Sequence, residues 1–271
     1  GEISESSIDI LSQHVNRKCE ESKEKTPTKL FPNRAKADLT NSTMYSKINE
    51  HEIVYNIDVM TNCTVKLDNT KSFTKDEATK VKNAKPKDLE MEAQYLTTNC
   101  PCQPLLRLKK GCLVMCTINL DMNAGICNGS QGVVIDFVIK DTVQTPVVRF
   151  SNGVIREINR YYWQSDDIPC VAVGQYPLVL AWALTIHKIQ GTTLANAEID
   201  IGNRIFEYGQ SYVALSRVKS LEGLYLSEFN PERIGANPKV IDFYKKIQET
   251  AKKPQSVFTN TENATSETKD K

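Results

Sequence analysis

Apolar positions along the chain fall into two textures. In the first, short apolar runs alternate with helix-like segments. Residues 8–25 read as a charged helix stopped by Pro27, "KLFPNRAKADLTNSTMYSKI" (29–48) as a short strand, a Pro-Asn turn and a helix, and "EIVYNIDV" (52–59) as an alternating strand. The same grammar returns after Pro177. There "LVLAWALTIHKIQGTTL" (178–194) precedes a strand "NAEIDIG" (196–202), a helix in "QSYVALSR" (210–217), a strand "EGLYLSEF" (222–229) and a closing helix "PKVIDFYKKIQE" (238–249). The second texture lies between. "LLRLKKGCLVMCTI" (105–118), "GSQGVVIDFVI" (129–139), "TPVVRFSNGVIREI" (145–158) and "YYW" (161–163) are β-branched or aromatic runs separated by Gly, Asn, Asp and Pro. Strands alternating with helices predict an α/β domain, and short turn-linked strands predict a small antiparallel β-barrel inserted in it.

Boundaries follow: residues 1–92 and 177–249 form the two parts of the α/β domain, 93–176 the inserted barrel, and 250–271 a polar tail expected to be disordered. Residues 66–92 are Lys-rich with little apolar periodicity and read as an exposed helix-loop excursion, a solvated face rather than a nucleic-acid site. "NGSQG" (128–132) reads as a hairpin turn.

At 271 residues and 40% hydrophobic content the chain can bury a substantial core. Thirty-four Lys and Arg balance 33 Asp and Glu, so bulk charge favours neither nucleic acid nor membrane, and a basic surface has to be local. The sequence holds no run of 18 apolar residues and no leader, so a location inside a cell or virus, away from membrane, is expected. The first residue is Gly, which suggests a segment of a longer polypeptide. Eight cysteines include no C-x-x-C pair, so reduced structural thiols are expected and no metal site.

Two stretches concentrate chemistry. "AWALTIHKIQGTTL" (181–194) sets Thr185, His187, Lys188, Gln190 and Gly191 where an apolar segment gives way to a turn. At the carboxyl end of a strand in an open α/β sheet ligands bind, and Gly lets a backbone N–H approach a phosphate. A capped helix start with incidental polar residues reads the same way. "QSYVALSR" delivers Arg217 after an apolar run, either as a directed guanidinium or as a long stem covering apolar surface.

"LAWALTIHKIQGTTL" (180–194), "GQSYVALSRVKSLEGLYL" (209–226) and "NPKVIDFY" (237–244) together resemble the C-terminal half of the petite-integration-frequency (Pif) family of superfamily 1B DNA helicases. The likeness extends through "LLRLKKGCLVMCTINLDMNAGICNGSQGVVIDF" (105–137) to "KLFPNRAKADLTN" (29–41), covering about residues 28–247. The resemblance implies the second RecA-like motor domain (2A), carrying an SH3-like barrel (2B), of an ATP-dependent enzyme that steps 5′ to 3′ along single-stranded DNA. It implies Thr185, His187 and Lys188 on the DNA side, with Asn33 and Asn41 as further strand contacts. It also implies Gln190, Gly191 and Thr193 at the nucleotide, and Arg217 as an arginine finger fixed by a helix packed through Tyr212, Val213 and Leu215. Lys109, Lys110 and Arg107 in the insert are possible DNA contacts.

No G-x-x-x-x-G-K-[ST] occurs, and the only Asp-Glu pair, Asp76-Glu77, lies in the Lys-rich segment rather than at the end of an apolar strand. ATP and Mg²⁺ are therefore expected only in a complete enzyme, whose N-terminal RecA-like half would cradle them. Two other readings stay open: a stand-alone nucleic-acid-binding or scaffold module derived from a helicase, and a RecD-like motor sharing "HK-x-QG".

Overall fold

The computed structural model describes residues 3–19, 27–68, 71–140 and 142–251. Among the described residues six α-helices occur in chain order: α1 (Glu5–Ser12), α2 (Arg34–Ser46), α3 (Lys75–Asn83), α4 (Pro86–Asn99), α5 (Gln210–Leu215) and α6 (Pro238–Ala251). The first strands are β1 (Thr28–Phe31), β2 (Ile53–Asn56), β3 (Asp58–Met60), β4 (Leu105–Leu108), β5 (Leu113–Cys116), β6 (Gln131–Lys140) and β7 (Val143–Phe150). They are followed by β8 (Ile155–Glu157), β9 (Tyr161–Gln164), β10 (Ala172–Gln175), β11 (Leu178–Leu180), β12 (Ala183–Thr185), β13 (Ala197–Ile201) and β14 (Leu224–Phe229).

Four of these strands make a parallel sheet in the order β12-β1-β13-β14. Parallel strands need long crossovers, and the whole antiparallel insert lies between β1 and β12. The sheet is apolar on its inner positions because both faces are covered: Leu30, Leu184, Ile199, Ile201 and Leu226 are all buried. Each such side chain contributes about 1.5–3 kcal/mol by leaving water. The N-terminal helix is earlier and shorter than the sequence suggests. Ser4 caps α1 by accepting from Ser7 N–H, and the chain then turns so that Val15 bridges the outer strand β14 at Leu226. The last part of the predicted 8–25 helix, residues 20–25, lies outside the described residues, as do 252–271 of the tail.

The insert is antiparallel, with a five-stranded sheet β11-β5-β6-β7-β8, a three-stranded sheet β3-β10-β9 and the pair β2-β4. Among the described residues these do not join into one continuous closed sheet, so an SH3-like barrel is not what the strand pairing displays. Its core holds Leu106, Leu108, Val114, Ile126, Val134, Val148 and Ile158, with Cys112 and Cys116 buried among them as small apolar groups. All eight cysteines are free of disulfides. The insert also draws strands from both sides of the 93–176 segment: β2 pairs β4, β3 pairs β10, and β11 pairs β5, while residue 93 falls inside α4.

The Lys-rich excursion is α3 and the start of α4. Thr74 and Glu77 form a reciprocal capping box at the start of α3, so the Asp-Glu pair serves a helix end. α4 packs on the insert through Ala93 against Cys170 and Val171. "NGSQG" closes a long loop between Cys116 and Gln131 rather than a two-residue hairpin. Gly129 has φ +92° and donates to Cys116 O, and Asp121 and Ile126 bridge within the loop. No described helix is long and apolar enough to cross a membrane.

Candidate functional site

In a parallel sheet every carboxyl end lies on one edge. The register pairs Phe31 with Thr185, so the residues two or three beyond each strand, Asn33 on one side and His187 and Lys188 on the other, emerge beside each other. After β12 the chain makes a 3₁₀ turn, His187–Ile189, with Thr185 Oγ1 accepting the Lys188 N–H at 3.4 Å. Ile186 and Ile189 are buried beneath it, which leaves His187, Lys188 and Gln190 exposed. Asn33 is the N-cap of α2, its Oδ1 accepting from Lys36 N–H at 3.1 Å. Asn41 clamps the sheet edge: its Nδ2 donates to Ala183 O at 2.7 Å and its Oδ1 accepts from Ala183 N–H at 2.9 Å. The side chain thereby stands in for the neighbour that an edge strand lacks.

A groove of about 730 Å³ runs along this edge, and Asn33, Asn41, Thr185, His187 and Lys188 all line it. Five residues chosen from two motifs some 150 positions apart thus share one cavity. Arg34, Arg107 and Phe206 line it as well. Arg34 pairs with Asp38 at 3.2 Å and Arg107 with Glu52 at 3.0 Å, whereas Lys188 and His187 form no ion pair among the described residues. The two insert lysines are engaged elsewhere. Lys109 donates to Ile48 O and lies over the Tyr45 ring, and Lys110 faces Asp136.

Gln190, Gly191, Thr193 and Arg217 occupy an adjoining rim. Gly191 has φ +84°, and a Cβ added there would meet nothing within 4 Å, so its backbone faces open space. Thr192 turns inward, its hydroxyl donating to Ile189 O. Leu194 N–H bonds to Arg217 O at 2.8 Å, which ties the two motifs together through their backbones. The Arg217 head folds over this joint. Nη1 donates to Thr192 O at 3.1 Å, Nε to Val213 O at 2.9 Å and Nη2 to Ser216 Oγ at 2.9 Å.

Arg217 follows α5 by two residues, and the helix packs on the core through Val213 and Leu215 as expected, but not through Tyr212. Gln210, Ser211 and Ala214 are buried, while Tyr212 is 72% exposed. The Gln210 amide is the anchor, with Nε2 donating to Pro32 O at 3.4 Å and Oε1 accepting from Phe206 N–H at 3.3 Å. It links α5 to the turn that carries Asn33 and to the loop that carries Phe206.

An always-charged guanidinium and an open glycine backbone suit phosphate oxygens. A divalent cation is a different matter, since among the described residues no group of three His, Cys, Asp or Glu side chains is placed to hold a metal.

Sequence reasoning missed Phe206 and Arg34, whereas Arg107, named there as a possible DNA contact, does line the groove. The signal for Phe206 was present in "RIFEYGQ", where two aromatics sit in a Gly-bounded loop with nothing periodic to bury them.

Residues 93–137 match the family model described as "DNA helicase Pif1, 2B domain". Over 160 residues the chain is 42% identical to the ATP-dependent DNA helicase PIF1 of Xenopus laevis, an alignment covering 58% of this chain and 25% of that protein. Its fold matches the crystal structure of Pif1 helicase from Candida albicans with a TM-score of 0.64 and 30% identity, over 90% of this chain and 54% of that one. It also matches Pif1 helicase from Bacteroides in complex with ADP-AlF3 and single-stranded DNA, with a TM-score of 0.57 and 25% identity over 91% of this chain and 51% of that one. The chain therefore spans a quarter of the Xenopus protein and about half of each solved chain. Motifs, domain match and fold agree, and the chain is similar throughout to the C-terminal half of Pif1 helicases.

Proposed function

We propose that this chain is the second motor half of an ATP-dependent 5′-to-3′ DNA helicase, supplying part of the single-stranded DNA track and an arginine finger. The observation that carries the reading is the groove at the sheet edge, which gathers Asn33, Asn41, Thr185, His187 and Lys188 beside the Arg217 rim. The solved Bacteroides relative, bound to ADP-AlF3 and single-stranded DNA, supports both ligand classes. Thr185, His187 and Lys188 face the strand, Lys188 as an unpaired cation for phosphate. Asn33 and Asn41 shape the opposite wall and hold it in register through Lys36 and Ala183. Gln190, Gly191 and Thr193 contact the nucleotide, and Arg217 swings from its carbonyl partners to the γ-phosphate. ATP and Mg²⁺ are held chiefly by an N-terminal RecA-like half of the same polypeptide, so the chain alone is inactive as an ATPase. The insert is the 2B domain, its SH3 likeness a matter of the family rather than of one closed sheet.

Titration with fluorescent oligothymidine at low salt tests the DNA half of this reading. Weak binding with steep salt dependence is expected, and His187→Ala with Lys188→Ala should weaken it further. A folded chain that gives no binding under these conditions overturns the reading in favour of a scaffold module.

A further inference from the structure

The loop after β13 exposes an aromatic ring for which the fold has no use. Phe206 is 62% exposed, although the neighbouring Ile205 is buried at 4% and anchors the loop to the core. The backbone at Phe206 is held as well, by the 3.3 Å bond from its N–H to the buried Gln210 amide. An exposed phenyl on a fixed backbone keeps its apolar face in water at a steady free-energy cost, and the ring has only two side-chain torsions left to order on binding. It lines the groove together with Thr185, His187 and Lys188. Its centroid lies 6.0 Å from the His187 ring, at an interplanar angle of 38°. A flat base inserted between two rings needs about twice the ~3.5 Å contact distance of carbon atoms, so the gap is too narrow and too tilted for a sandwich. The outer face of Phe206 stays available.

From this geometry we infer that Phe206 is a nucleobase-stacking platform in the groove: one unstacked base of a single strand lies on its outer face while the adjoining phosphate meets Lys188. The inference rests on the single-strand reading of the groove and adds the part of the ligand that it recognises. Charge complementarity favours a nucleic acid over an apolar peptide, since the ring is flanked by the unpaired Lys188 and by His187, whereas the acidic groove residues Asp38 and Glu52 are already paired with Arg34 and Arg107. A π-face accepts any base, so the contact is tolerant of sequence.

The experiment compares oligothymidine with an abasic oligonucleotide of equal length, which keeps the phosphates and lacks the bases. Phe206→Ala should lose roughly five- to hundredfold in affinity for oligothymidine. It should leave affinity for the abasic strand, and the salt slope on both, unchanged. Phe206→Trp should restore binding and have its fluorescence quenched by oligothymidine, while Phe206→Leu, apolar but without a π-face, should not restore it. Equal losses on both strands, or rescue by Leu, would overturn stacking and leave a packing role. A parent chain that binds neither strand defeats the single-strand reading itself, a result distinct from a parent that binds both equally well and is indifferent to Phe206→Ala, which defeats only the platform.

Discussion

At the scale of single residues, the roles that resist sequence reading are those whose partners are distant. Asn41 sits in "DLTN" with nothing nearby to mark it, yet both ends of its amide are engaged by Ala183, 142 positions away. Asn41→Ala leaves a backbone N–H and C=O of the sheet edge without partners, at a cost of about 1–3 kcal/mol. Urea unfolding should show that loss, and Asn41→Asp should show it too, because a carboxylate cannot donate to Ala183 O. A loss of DNA affinity with undiminished stability would instead make Asn41 a direct strand contact. Cys100 is a second case. The thiol of Cys102 donates to its sulfur and lowers its pKa to about 7, while the same bond and burial raise that of Cys102. The thiolate is the reactive form, so iodoacetamide labelling of Cys100 should rise through about pH 7 rather than near 9. Cys102→Ala removes the donor and should move that midpoint upward. The sign also fixes the effect on folding: a depressed thiol contributes stability fully present above the unfolded value and lost as pH falls through about 7.

At the scale of elements, periodicity and turn residues made β1, α2, β13, β14 and α6 legible, because each is specified by its own local pattern. Pairing was not legible. β2 and β3 arise from one alternating run, but Ile57 breaks it by donating to Pro104 O, and the two pieces then join different partners, β4 and β10. Nothing local in "EIVYNIDV" encodes that choice. The α5 helix shows the same limit. Its apolar letters suggested packing through Tyr212, Val213 and Leu215; the last two do pack on the core, whereas a six-residue helix seated by the Gln210 amide turns Tyr212 outward. The loop ending in "NGSQG" shows what a turn signal omits. Gly129 was read for its conformation, and its positive φ is observed, but a Cβ there would also stand 2.6 Å from Thr192 Cβ, beside the rim that carries Gly191 and Arg217. Gly129→Ala therefore combines left-handed strain, about 1–2 kcal/mol, with displacement of the 190–194 segment. A lowered urea midpoint is expected, together with increased hydrogen exchange at Leu194 and Lys219, whose amides hold the joint to the Arg217 segment. Unchanged exchange there would mean that the insert loop is not a support of that rim.

For the molecule as a whole, the proposed function implies a division of labour between this chain and a half that wraps the phosphates. The chain carries a cation and an open glycine backbone but neither a phosphate-wrapping loop nor a metal-ligating cluster among the described residues, so purified alone it should show no DNA-stimulated ATP hydrolysis. In a polypeptide that also carries the P-loop half, Arg217 should become decisive. A finger supplied to a γ-phosphate is worth on the order of 10³ to 10⁵ in turnover, and Arg217→Ala should remove it, with Arg217→Lys nearly as damaging because the fork geometry is lost. The structure sharpens the control. The Arg217 side chain bonds to Val213 O, Thr192 O and the Ser216 hydroxyl and joins no ion pair among the described residues, so Arg217→Ala should cost the isolated chain no more than about 1–2 kcal/mol. Binding of oligothymidine should persist, since Arg217 does not line the groove. The paired variant His187→Ala, Lys188→Ala should do the reverse, weakening DNA binding and DNA-stimulated turnover. Steady-state hydrolysis within about threefold of the parent after Arg217→Ala, well under 1 kcal/mol in barrier height, would leave that guanidinium as a brace between α5 and Thr192 and nothing more.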